Sequence, residues 1–248
     1  MNFLWKPMPY YIMRDCGLLK QLKKNQVSQG ISALKIFMLI CLKSEIDENG
    51  IYSANLTYDQ ISQLCSLSRK LVSDGLRFLE HSEAIEVSGD RKKKYILLNC
   101  ERKDGLRRVA RFSSANGHWC KLPFKGIIDE KNRITAFESM TNRSLHELNA
   151  LRLFLYLLMV RSRGCSHSSV TLKTIKTRLS INYQEVMIAI GYLQSLGLVV
   201  KVDVGTNLIG NYDERFAISF LVCGWEGLEW KPRYLSEDQW KNQITDVF

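Results

Sequence analysis

Leu67-Ser68-Arg69-Lys70-Leu71-Val72-Ser73-Asp74-Gly75-Leu76-Arg77-Phe78-Leu79-Glu80 is the stretch whose spacing sets the fold. Leu71, Val72, Gly75, Leu76 and Leu79 recur at the three- and four-residue intervals of one helical face. Ser68 stands where a side-chain oxygen can cap the open N–H groups of a first turn. Just upstream, a second amphipathic helix opens at Thr57 and marks its buried face with Ile61 and Leu64, so that two helices meet across a turn of three or four residues. Downstream, Ala84-Ile85-Glu86-Val87, the turn Ser88-Gly89-Asp90 and Lys94-Tyr95-Ile96-Leu97-Leu98 alternate as a β-hairpin does.

The same pattern occurs twice. At a shift of 114 residues, Trp5 falls on Trp119, Met8-Pro9-Tyr10 on Leu122-Pro123-Phe124, Thr57 on Thr171, Ile61 on Ile175, Val72 on Val186, Leu76 on Ile190 and Leu79 on Leu193. Between these blocks the shift is 117, which lays Ala33-Leu34-Lys35-Ile36-Phe37-Met38-Leu39-Ile40 on Ala150-Leu151-Arg152-Leu153-Phe154-Leu155-Tyr156-Leu157. Self-similarity that keeps its order over so long a stretch defines domains without any assignment of elements. Each copy predicts an extended lead with a Trp and a Pro, an apolar helix, the two helices joined by the turn, and the hairpin. The fold class expected is α+β, mainly α, as two tandem winged helix-turn-helix domains: 1–100 and 119–222, joined by a basic linker 101–118 and followed by a Trp-rich C-terminal tail 223–248.

The chain of 248 residues carries 35 Lys and Arg against 25 Asp and Glu, and a net charge of +10 favours polyanionic partners. The excess is uneven, since residues 1–114 hold 19 basic and 12 acidic side chains. The apolar stretches 33–42 and 151–160 are too short to span a bilayer, and Lys35 interrupts the first. No secretory signal opens the chain, so a cytoplasmic location with no membrane partner is expected. The seven cysteines show neither a disulfide framework nor zinc spacing; His118-x-Cys120 and Cys165-x-His167 read as chance neighbours.

With both copies laid out, the chain resembles the winged-helix DNA-binding modules of bacterial regulators and of replication proteins carried by plasmids, phages and integrative elements. The resemblance rests on the aromatic-x-x-apolar-Pro lead, on the helix from Leu67 to Glu80 and on the Ala84-Ile85 start of the hairpin, and it covers both copies but not the tail. It implies binding of double-stranded DNA through the third helix and the wing. Ser68, Arg69, Lys70, Ser73 and Arg77 are the outward positions of that helix, and Arg91, Lys92, Lys93 and Lys94 crowd the wing. In the linker, Arg107 and Arg108 are candidates for contacts along the DNA backbone, as are Lys173, Lys176 and Arg178 on the second helix of copy two.

Copy two departs from the DNA-reading pattern. Tyr183, Met187 and Ile188 replace the polar positions of the third helix, and Leu208 and Ile209 sit in the wing tip, so this face is expected to form a protein interface, in a homodimer or against copy one. The tail, with Trp225, Trp230 and Trp240, either docks on the body or binds a further protein. No phosphate loop, HExxH or GxSxG occurs; the expectation is no enzyme, no metal and no cofactor. Tyr10 aligns with Phe124 and reads as a packing residue. The leading expectation is a sequence-specific transcription regulator. The alternatives are a replication initiator of a mobile element and a winged-helix subunit bridging an SMC-type chromosome-organising complex.

Overall fold

The computed structural model describes residues 4–9, 18–22, 26–89, 93–103, 106–109, 119–161, 166–204 and 217–225. Its elements run β1 (Trp5–Pro9), α1 (Leu18–Gln21), α2 (Val27–Lys43), β2 (Glu45–Ile46), β3 (Tyr52–Leu56), α3 (Tyr58–Cys65), α4 (Arg69–His81), β4 (Ile85–Ser88), β5 (Lys93–Lys103) and β6 (Leu106–Val109). The second half repeats the order with β7 (Trp119–Pro123), α5 (Thr135–Glu138), α6 (Leu145–Val160), β8 (His167–Thr171), α7 (Leu172–Leu179), α8 (Tyr183–Ser195), β9 (Val199–Val204) and β10 (Ala217–Val222). The class is α+β with antiparallel sheets.

Helices α2 and α6 form the centre. Every residue from 30 to 42 and from 147 to 158 is buried, as expected of helices that are apolar on all sides. They pack on each other, and each takes the last helix of its own half, α4 on α2 and α8 on α6. Gly75 lets α4 lie close: a Cβ there would come within 2.8 Å of Ser32 Oγ and 3.0 Å of the Ala33 nitrogen.

The caps at Thr57, Ser68 and Thr171 are those the sequence predicts. Thr57 accepts the Gln60 N–H while the Gln60 side chain accepts the Thr57 N–H, and Ser68 accepts from Leu71. In the second half Thr171 caps α7, and Asn182 caps α8 through a reciprocal pair with Glu185. The turn after α3 passes through Ser66 at φ 51°, that after α7 through Ser180 at φ 53°. Leu67 and Ile181, which follow, are buried and send their N–H groups back to Ser62 and Lys176, closing each helix in the same way.

Three features differ from the expectation. The ribbon of each half has a third strand: β3 pairs with β5, and β8 with β10, so the sheets run β2-β3-β5-β4 and β8-β10-β9. Those strands are short, and Ser and Asn dilute their alternation. Leu64 is only half-buried, and Cys65 takes its place in the core. The segment 101–118 is not plain linker, because β5 continues to Lys103 and turns back as β6, with Leu98 opposite Val109 and Asn99 opposite Arg108.

The two leads pair with each other. β1 and β7 run antiparallel with Trp5 opposite Pro123, Pro7 opposite Lys121 and Pro9 opposite Trp119. Under the 114-residue shift this register maps onto itself, so a local two-fold axis passes through the ladder; across it Trp5 and Trp119 lie 5.9 Å apart. The buried side chains form one continuous core through both halves.

Candidate nucleic-acid interface

The candidate surface is built on the capped N-terminus of α4. Val72, Leu76 and Leu79 anchor that helix in the core, and Leu71 and Phe78 pack at its margin. Gln29 on α2 donates to the Asp74 carbonyl at 3.2 Å and fixes the helix lengthwise. Of the positions expected to face outward, Ser68, Arg69, Lys70 and Arg77 are exposed, whereas Ser73 is half-buried; Glu80 and His81 are exposed at the far end of the helix.

Acidic neighbours accompany several of these cations. Arg69 Nη2 donates to Asp59 Oδ1 at 2.6 Å, joining the first turns of α4 and α3, with both side chains about three-quarters exposed (76% and 73%). Arg77 lies 3.7 Å from Asp74, one turn back on the same helix. In the hairpin, Lys94 stands 4.0 Å from Asp47, and Lys93 lies over the Tyr58 ring at 5.8 Å. Exposed pairs of this kind add little to the stability of the fold. Lys70 has no acidic partner among the described residues and is the freest cation on the helix.

The hairpin is brought beside α3 by its pairing with β3. Lys93 faces Leu56 and Lys94 faces Asn55, at the end of the strand that runs into the Thr57 cap. The first turns of α3 and α4 and the base of the hairpin are thereby linked through Tyr58 and Asp59. Arg91 and Lys92, at the tip, lie outside the described residues. Arg107 and Arg108 are on β6, whose backbone alone is described.

In the second half Lys173 and Arg178 are exposed on α7 and Lys176 is half-buried. On α8, Ile188 is 45% exposed, whereas Tyr183 and Met187 are half-buried and pack against the core. The apolar face expected there is therefore narrower, centred on Ile188, and Val200 on β9 is a further exposed apolar side chain. Leu208 and Ile209 lie outside the described residues, as do Tyr10, His118, Cys165, Trp230 and Trp240. Trp225 is buried, with Arg161 over its ring at 4.6 Å.

Sequence reasoning missed the polar contacts that hold the two halves together. Lys35, fully buried on α2, donates to the carbonyls of Cys65 and Phe137 and to Asn142 Oδ1. Arg152, its counterpart at the 117-residue shift, donates to the carbonyls of Leu19 and Leu179 and to Asn149 Oδ1. Each cation thus bridges the last turn of its own half's α3 or α7 to the short helix α5 or α1 of the other half. The signal was present, since two cations aligned inside apolar helices call for carbonyl partners. Burial opposes ionisation of Glu147, but bonds from the Thr141 and Ser144 N–H groups outweigh it and hold the carboxyl below its usual range.

Among the described residues no group of His, Cys, Asp and Glu could hold a metal ion, and no helix is long and apolar enough to cross a membrane. No protein-family model, curated protein or solved structure matches the chain.

Proposed function

We propose that the chain is a sequence-specific double-stranded DNA-binding protein of tandem winged-helix design, acting as a transcription regulator. The observation that carries the reading is the joining, on one rigid scaffold, of an exposed basic helix start (Ser68, Arg69, Lys70) to a basic hairpin (Lys93, Lys94) through the first turn of α3. A helix so presented fits a major groove, and a hairpin at its side fits the flanking phosphates. Arg77 extends the same surface; Arg91, Lys92, Arg107 and Arg108 remain candidates on the sequence reading, and Lys173, Lys176 and Arg178 offer phosphate contacts from the second half.

The test is selection of genomic fragments by the purified protein at two salt concentrations, followed by sequencing of what stays bound at the higher one. The reading expects one or a few discrete sites, affinity that falls steeply with salt, and loss of site selection in an Arg69→Ala/Lys70→Ala variant. Retention without sequence preference sinks it.

Homodimerisation through α8 belongs to the same proposal, with Ile188 at its centre. Ile188→Glu should leave the fold intact and shift the protein to a smaller species in sedimentation; an unchanged distribution removes α8 from the interface.

The single core shared by both halves favours a second reading, initiation of replication at a mobile element, because it holds two helix pairs in fixed relation for consecutive sites. The recovered DNA separates the two: several direct repeats support initiation, and one inverted repeat in a promoter supports regulation.

A further inference from the structure

We infer that Asp59 is a positioning residue for Arg69, and that the pair reads the major-groove edge of a guanine. The inference rests on the DNA-binding reading above and adds the base that the helix start selects.

Arg69 is the first residue of α4, and Asp59 the second of α3. Nothing in the core requires their contact, since both side chains are largely exposed, yet Nη2 and Oδ1 approach to 2.6 Å. An unrestrained arginine loses much rotamer freedom when it docks; one already held against a carboxylate loses less. The geometry leaves the reading edge open. One Nη2 hydrogen goes to Asp59, and the other, with a hydrogen on Nη1 or Nε, still forms a parallel pair. Such a pair matches the N7 and O6 acceptors of guanine. The carboxylate also repels phosphate, so Asp59 weakens undirected backbone contact at the position where it strengthens base reading.

A solvated ion pair with no role would show none of this. The experiment uses the full chain and a library with each position of the recovered site randomised. Wild type should show a guanine preference that Arg69→Ala lowers by roughly ten- to a hundredfold and that Arg69→Lys, which lacks the fork, does not restore. Asp59→Ala should lower the same preference by roughly fivefold while binding to random DNA stays equal or rises. Asp59→Asn, which keeps an acceptor at Oδ1, should fall between. Thermal midpoints of all four variants should match wild type to within a few degrees, because the side chains are exposed.

If Asp59→Ala strengthens binding to every sequence alike, Asp59 only masks charge and the inference is overturned. If the Arg69-dependent base is not guanine, it is overturned as well. Absence of any discrete site in wild type would remove the DNA-binding reading itself, whereas a discrete site indifferent to Asp59 would remove only this inference.

Discussion

Lys35 and Arg152 occupy equivalent places in the two central helices and are satisfied by carbonyls from opposite halves. The two differ in chemistry. Burial pushes the Lys35 ammonium down to about 8, with the Cys65 and Glu147 groups opposing the shift. An arginine at such a site stays charged at any pH of interest. Below pH 8 both folded and unfolded chains carry the Lys35 proton. Between 8 and the ordinary lysine value near 10.5, the unfolded chain keeps a proton that the folded chain has released, so this residue makes stability rise with pH. The expected outcome is a wild-type stability that gains on that of Lys35→Met between pH 8 and 10, measured by urea unfolding; parallel curves would place the titration elsewhere. Asn142 gives a second check, because its Oδ1 accepts from Lys35 and its Nδ2 donates to the Ser66 carbonyl at 3.0 Å. Its φ of 64° is one that glycine adopts without strain. Asn142→Gly should therefore report the lost hydrogen bonds, at a cost of about 2 kcal/mol in the same assay.

At the scale of elements, the two glycines of the outer helices make opposite predictions. Gly75 has Ser32, Ala33 and Ile36 against it, while nothing lies within 4 Å of a Cβ placed on Gly191 in α8. Gly75→Ala should push α4 off α2 and destabilise by about 1–3 kcal/mol, despite alanine's better helix propensity. Gly191→Ala should stabilise by about 0.5–1 kcal/mol. Calorimetry on the two variants reads both signs. Elements with a local signature were legible in the sequence: the capped starts at Thr57 and Ser68 and the face of Val72, Leu76 and Leu79. Elements defined by a distant partner were not. Strands β3 and β8 are recognisable only once β5 and β10 are beside them, α1 and α5 are single turns, and β6 exists because β5 runs past the expected end of the hairpin. The same contrast holds at the candidate surface. The exposed cations follow from helical spacing, but the acid beside Arg69 lies ten residues upstream on another helix. The half-burial of Tyr183 and Met187 depends on packing that periodicity alone does not specify.

For the molecule as a whole, the continuous core and the reciprocal cation contacts make the two halves one cooperative unit. Helical circular dichroism and tryptophan fluorescence should report a single urea transition with a common midpoint. Two separated transitions would show that the halves unfold independently. The internal repeat was visible in the sequence, but the exchange of leads between halves was not, because β1 pairing with β7 leaves no trace in either copy alone. That pairing also constrains the order in which the chain can fold as it is made. The N-terminal strand emerges first from the ribosome, yet its ladder partners end at Pro123, and the carbonyl and amide that complete the Lys35 site belong to residues 137 and 142. A nascent first half therefore carries an unpaired strand edge, and a Lys35 ammonium with only the Cys65 carbonyl to meet it, until residue 142 has been translated, and its closing waits on the second half rather than preceding it.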